Sequence, residues 1–291
     1  MGEPLPICYL NGEFLPLREA RISPLDRGFL YSDGAYEVTP VYGGRPFRFQ
    51  QHHDRLTRSL KEIRMEDPLS RDAWRALYRD LIARNGGPAD LYIYVQVTRG
   101  AEYGRNHAPL PEVPRTVFAF VAPWPEGRAG WRENGLPAVT AVDTRWARCD
   151  IKSVSLLANV LLRQLAVDEN ASECILLRDG QLTDSSASSV HAVIEGELRT
   201  PPNSWKLLPG TTRGVLEEVA DKAGVKCRSV AVSESELRSA DEILIGAATR
   251  EVQPVTSLDG KTVGTGKPGP VWRKLYDAYQ AYKREIAGTP W

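Results

Sequence analysis

The chain has 291 residues, 42% hydrophobic and 25% charged, an ordinary globular composition that excludes a disordered chain, a collagen and a coiled coil. Lys+Arg and Asp+Glu each total 37, so the basic surplus that marks a nucleic-acid binder is missing. No apolar run approaches the roughly 20 residues of a membrane helix, and Met1 to Leu10 lacks the basic start of a signal peptide.

Residues 7–10 and 13–15 flank Asn11-Gly12, a pair suited to the positive φ angles of a hairpin turn. A second hairpin is expected over 36–42 and 45–49, turning at Gly43-Gly44. A helix follows over 50–65, with Leu56, Leu60 and Ile63 on one stripe. Another spans 71–84 and stops at Asn85-Gly86-Gly87-Pro88. Strands are expected over 91–97 and 116–121. Residues 123–137 are rich in Pro, Gly and charge and read as a linker.

Beyond it the pattern gives a strand (138–142), a helix (155–169) and a strand (173–177) that turns at Asp179-Gly180 into a short partner. A strand at 190–194, a helix from about Thr212 to before Gly224, strands over 225–232 and 242–246, and a helix over 271–286 complete the reading. Strands cluster in hairpins instead of alternating with helices, which favours two α+β domains with mixed or antiparallel sheets over a doubly wound α/β fold. Cys8, Cys149, Cys174 and Cys227 are scattered without ligand-like spacing. Reduced thiols in a cytoplasm, and no metal site, are therefore expected.

Lys152 lies between an apolar strand and an apolar helix. A lysine desolvated there has a lowered pKa, and its neutral amine can form a Schiff base. A snorkelling side chain, or an ion pair with Asp150, fits the same spacing. Downstream, Asp184 stands among Thr183, Ser185 and Ser186, a setting for a flat polar ligand. Leu208-Pro209-Gly210-Thr211-Thr212-Arg213 opens a helix whose free N–H groups and hydroxyls suit a phosphate, though a plain threonine N-cap reads the same way. Arg55, in His52-His53-Asp54-Arg55-Leu56, could add a guanidinium.

Together these segments resemble the fold-type IV pyridoxal-phosphate aminotransferases, the family of D-amino-acid and branched-chain aminotransferases. The motifs recur in order: Asp26-Arg27-Gly28, Asp33-Gly34-Ala35-Tyr36-Glu37, His52 with Arg55-Leu56, the Lys152 segment, the Leu208 to Arg213 segment, and Glu251-Val252-Gln253-Pro254-Val255. The resemblance implies a smaller N-terminal α/β domain (1–122), a linker (123–137) and a larger C-terminal domain (138–291) carrying the Schiff-base lysine, Lys152. It also implies that Arg55, Thr211 and Thr212 bind the phosphate of pyridoxal 5′-phosphate, with Leu208, Ala248 and Thr249 also against the cofactor. Asp184 would face its ring nitrogen. The chain departs from the family twice. Asp184 replaces the usual Glu and is one methylene shorter, and Ala248 stands where a Thr is common.

Arg105 and His107 form an Arg-x-His pair in the loop after strand 91–97, where alternate positions can aim both side chains at one anion. A loop of solvated polar residues is the competing reading. The pair resembles the carboxylate trap of D-amino-acid aminotransferases, which serves the neighbouring subunit's site with a tyrosine matching Tyr36. That implies a homodimer. Branched-chain enzymes usually carry an arginine a few residues beyond the Tyr36 position, where this chain has Pro40. The resemblance therefore implies transamination of D-amino acids, of the D-alanine or D-glutamate type, with pyruvate or 2-oxoglutarate. A branched-chain L-amino-acid aminotransferase, an (R)-amine aminotransferase and an aminodeoxychorismate lyase share the scaffold and are the alternatives. A metabolite-binding protein without chemistry is disfavoured by the presence of Lys152.

Overall fold

The computed structural model describes residues 2–86, 90–124, 128–287 and 291. By contacts the chain divides into two compact units. The first holds Met1–Glu126, Ile151–Ser155 and Thr289–Trp291; the second holds Gly127–Asp150 and Leu156–Gly288.

In chain order the first unit contains β1 (Ile7–Leu10), β2 (Glu13–Pro16), α1 (Arg27–Tyr31), β3 (Gly34–Tyr42), β4 (Arg45–Pro46), α2 (Phe49–Glu62), α3 (Arg71–Asn85), β5 (Leu91–Thr98) and β6 (Thr116–Pro123). The strands form one antiparallel sheet in the order β2-β1-β6-β5-β3-β4. Its first hairpin turns where expected, with Asn11 and Gly12 both at positive φ. Leu56 and Leu60 of α2, with Trp74, Leu77 and Leu81 of α3, pack on the sheet residues Val95, Val97 and Val117 as one core. The α2 helix ends at Glu62, short of the expected Met65, because Arg64 turns left-handed at φ 55°. The α3 helix is capped at its start by the Ser70 hydroxyl and at its end by left-handed Gly86; Gly87 and Pro88 of the expected breaker lie outside the described residues.

The second unit contains α4 (Arg128–Asn134), β7 (Leu136–Val142), α5 (Leu157–Asp168), β8 (Glu173–Arg178), β9 (Gln181–Ser185), β10 (Ser189–Ile194), β11 (Glu197–Thr200), α6 (Thr211–Ala220), β12 (Cys227–Ser229), α7 (Glu234–Arg238), β13 (Glu242–Ala247), β14 (Glu251–Leu258), β15 (Lys261–Thr262) and α8 (Pro270–Ala287). Its sheet is mixed, in the order β12-β11-β10-β13-β14-β7-β8-β9, with β15 added on β14. The pairs β7–β8, β7–β14 and β11–β12 are parallel; the others are antiparallel.

Further placements differ from the sequence reading: the strand expected over 45–49 ends at Pro46, with Phe49 already in α2, and the one expected over 225–232 spans Cys227–Ser229. Of the linker expected over 123–137, residues 125–127 lie outside the described residues, 128–134 form α4, and β7 begins at Leu136. Trp131 explains the helix, since it packs against the core of the second unit. Residues 151–155, expected within the larger C-terminal domain, cluster with the first unit. Ser153 makes a bridge to Ala35, Tyr36 N–H donates to Lys152 O at 3.0 Å, and Val154 N–H donates to Gly34 O at 3.1 Å. Among the described residues no helix is long and apolar enough to cross a membrane.

Candidate active site

Lys152 is half-buried, with Ile151 and Ser153 buried on either side. Its backbone is fixed twice, by the bond from Tyr36 and by its own N–H donating to Ser59 Oγ on α2 at 3.2 Å. Its Nζ lies 4.0 Å from the centre of the Tyr36 ring, which in turn stacks on Tyr94 with centroids 5.6 Å apart. A mobile four-carbon amine is thereby anchored at its root and laid along an aromatic face.

Next along β3, Glu37 is fully buried and anchors a second group. Arg55 grips it bidentately, Nε to Oε1 at 2.7 Å and Nη2 to Oε2 at 3.0 Å, while His52 Nδ1 lies 2.5 Å from Oε2. His52 and Arg55 share one face of α2 because they are three residues apart, and that face packs on β3. Burial pushes the Glu37 carboxyl up, but the Arg55 guanidinium and His52 outweigh it and hold it down at about 2. Burial lowers His52, with Glu37 only partly offsetting it, and Glu37 balances the charge of Arg55. Arg55 was legible as a candidate; Glu37 and His52 stood in the same motifs but carried no role in the sequence reading.

Arg105 and His107 are exposed in the loop between β5 and β6. They flank one aromatic ring, that of Tyr31: the Arg105 guanidinium carbon lies 5.2 Å from its centre and the His107 ring 5.6 Å.

In the second unit, Asp184 lies on β9 and is buried. Its Oδ2 accepts from Arg145 Nη1 at 3.2 Å and from Leu208 N–H at 3.5 Å. Arg145 is itself gripped by Asp143, through Nε to Oδ1 at 3.0 Å and Nη2 to Oδ2 at 3.1 Å. Asp143 further accepts from the Thr183 hydroxyl at 2.9 Å and pairs with Arg178 at 3.2 Å. Burial raises the Asp184 carboxyl to about 6, with Arg145 only partly offsetting it. Arg145 and Asp143 escaped the sequence reading as functional residues. The signal was two opposite charges two positions apart ahead of Lys152, and it means nothing without the fold that brings β9 beside them.

Helix α6 begins at Thr211, with Gly210 as N-cap and no side-chain cap. The alternative of a plain threonine N-cap therefore does not hold; Thr211 and Thr212 occupy the first turn. A Cβ on Gly210 would meet Ser189 Oγ at 2.6 Å, and one on Gly246 would meet Thr212 Cγ2 at 3.3 Å, so small residues line this end of the helix. Ala248 and Thr249 are half-buried in the turn between β13 and β14, two and three residues past Gly246. An uncapped helix start with backbone N–H groups, two hydroxyls and no Cβ in the way fits a phosphate. A buried acid fits a protonated ring nitrogen, and a half-buried amine fits an aldehyde. The residues present therefore suit pyridoxal phosphate. Among the described residues no group of three or more His, Cys, Asp or Glu is placed to hold a metal ion.

Residues 34–258 match the amino-transferase class IV family. The D-alanine aminotransferase of Staphylococcus aureus (strain MSSA476) is 38% identical over 275 residues, covering 94% of this chain and 96% of that one. That of Bacillus licheniformis is 36% identical over 279 residues, covering 93% of this chain and 94% of its own. The crystal structure of the Escherichia coli branched-chain amino acid aminotransferase matches with a TM-score of 0.88 at 26% identity, covering 95% of this chain and 94% of that one. A family model matched over residues 34–258, relatives 36–38% identical along most of the chain and a shared fold lead to one conclusion: the chain belongs to the class IV aminotransferases, the pyridoxal-phosphate-dependent family.

Proposed function

We propose that this chain transfers the amino group of D-amino acids, of the D-alanine or D-glutamate type, to 2-oxo acids such as pyruvate or 2-oxoglutarate. The observation that carries the hand of the substrate is the Arg105/His107 pair, exposed and set against the single ring of Tyr31. The likeness to a D-alanine aminotransferase along 94% of the chain supports the same reading.

Lys152 is the residue that would hold the cofactor through its aldehyde, and its free amine would carry the proton taken from substrate Cα. Bound pyridoxal phosphate supplies the electron sink for the charge left at Cα. Arg55 and the start of α6, with Thr211 and Thr212, hold the phosphate, and the turn at Ala248 and Thr249 adds backbone donors. The Asp184 carboxylate, steadied by Arg145 and Leu208 N–H, favours a proton on the ring nitrogen. Tyr36 orients the lysine amine along its ring face.

Arg105 and His107 bind the substrate carboxylate in the neighbouring subunit, so the active form is a homodimer. An exposed apolar stripe on α5, made by Leu157, Val160, Leu161 and Leu165, supports a protein partner. Four cysteines without disulfides support a reducing cytoplasm. The branched-chain reading rests on the structural match, but Pro40 occupies the place where such enzymes usually carry an arginine. Chiral chromatography tests the proposal: incubation of D-alanine with 2-oxoglutarate should yield pyruvate and D-glutamate. Formation of L-glutamate from L-leucine at a higher rate would overturn it.

A further inference from the structure

The loop that presents Arg105 and His107 is held from beneath by one buried side chain. Arg27, at the start of α1, is 3% exposed. Its Nη1 donates to Asn106 O at 2.6 Å and to Glu102 Oε1 at 2.5 Å, its Nη2 to His107 O at 3.0 Å, and its Nε to Asp33 Oδ2 at 2.9 Å. Two of these acceptors are the carbonyls of residues 106 and 107, within the trap itself. The second oxygen of Glu102 accepts Leu110 N–H at 3.0 Å, which closes the far side of the loop. Asp33 is fixed in turn by Arg99, bidentately at 2.7 and 3.0 Å, and Arg99 Nη2 donates to Ile63 O at 2.7 Å. The backbone of the loop is thus tied through a chain of buried charges to the end of α2.

The side chains have a separate support. The Tyr31 ring has the Arg27 guanidinium carbon 4.6 Å from its centre, and Arg105 and His107 at the distances given above. One planar fork sets the peptide groups and one aromatic post sets the two side chains.

We propose that Arg27 and Tyr31 are positioning residues that hold the Arg105/His107 pair in one geometry and thereby set the affinity for a substrate carboxylate, without touching substrate. This rests on the reading of Arg105 and His107 as the carboxylate trap. A lysine at position 27 keeps the charge but offers no planar fork to the two carbonyls together with Glu102. A misplacement of about 1 Å at a binding group costs on the order of 100-fold.

The test uses the cofactor-loaded wild-type enzyme and its Tyr31→Ala, Tyr31→Phe, Arg27→Lys and Arg105→Ala variants. Affinity for acetate, a carboxylate without an amino group, is measured by calorimetry, alongside KM and kcat for D-alanine. Acetate affinity should weaken by about 10- to 100-fold in Tyr31→Ala and Arg27→Lys, with a matching rise in KM and a smaller change in kcat. Tyr31→Phe should bind as wild type, because the Tyr31 hydroxyl makes no hydrogen bond among the described residues. If Arg27→Lys does not fold, Tyr31→Ala decides. Unchanged acetate affinity in Tyr31→Ala, beside a large loss in Arg105→Ala, would overturn the positioning role and leave the trap standing. Unchanged affinity in Arg105→Ala would overturn the trap and the positioning role with it. A fall in kcat alone, equal in every variant and with acetate binding intact, would also overturn it.

Discussion

Two buried carboxylates in this protein meet an arginine each, and they end in opposite states. Glu37 receives two bonds from Arg55 and a third contact from His52, all between 2.5 and 3.0 Å, and is held at about 2. Asp184 has one 3.2 Å contact from an arginine whose charge Asp143 already balances, plus backbone bonds from Leu208, long at 3.5 Å, and Ser185, and is raised to about 6. Burial penalises both; the number and quality of donors decides the outcome. Glu37 is thus a permanent anion that shapes the Arg55 fork. Asp184 keeps capacity for another positive partner, which a ring nitrogen's proton would supply.

The first way to break this contrast is chemical. Lys152→Ala should lower turnover by about 10⁴-fold, since the proposed anchor and proton carrier disappear together. Steady-state rates and the visible absorbance of bound cofactor check it: in a folded protein the rate should fall by that factor and the absorbance of the lysine-linked cofactor should be lost.

Stability separates the two acids directly. Glu37→Gln removes the buried anion that Arg55 grips bidentately and should cost about 3–5 kcal/mol. Asp184→Asn in the cofactor-free protein at pH 8 should cost less than about 1 kcal/mol or stabilise, because Arg145 keeps Asp143 and a raised carboxyl is removed. Urea unfolding of the two variants at one pH measures the difference.

The pH dependence of the same protein sharpens it. The Asp184 carboxyl lies above its ordinary 3.8, so its contribution is present below about 4 and is lost as pH rises through about 6. The Glu37 carboxyl lies below its ordinary 4.5, so its contribution is present above that value and is lost as pH falls toward 2. Each amounts to about 3 kcal/mol, with opposite slopes. Asp184→Asn should flatten the first slope only. Glu37→Gln should flatten the second only.

A comparable effect is expected on recognition. Arg105→Ala removes a charge-assisted contact worth about 1.5–3 kcal/mol, so kcat/KM for D-alanine should fall by about 10- to 150-fold. The loss with a primary amine, which has no carboxylate, should be smaller.

What the sequence revealed follows from range. The Asn11-Gly12 turn, the stop of α3 at Gly86 and the apolar stripe of α2 are local, and each was legible. Helices α1 and α7 are five residues each, too short for a period to show. Strand β14 carries Pro254, which argues against a central strand, yet it pairs with β13 on one side and β7 on the other. The Lys152 segment was recognisable as chemistry, but its backbone bridge to β3 spans more than a hundred residues, and nothing local encodes that. The same holds for Arg145 with Asp184, 39 positions apart. Site residues that carry a motif were found; the charges that tune them were not.

This family member acts on D-amino acids. A stopped-flow panel of half-reactions, following the cofactor's visible absorbance with single D- and L-amino acids, tests it most directly. D-alanine and D-glutamate should discharge the absorbance, at rates at least about 100-fold above their L counterparts, as expected when a trap fixes which hydrogen of Cα faces Lys152. Faster discharge by L-leucine or L-valine than by any D-amino acid would contradict the account.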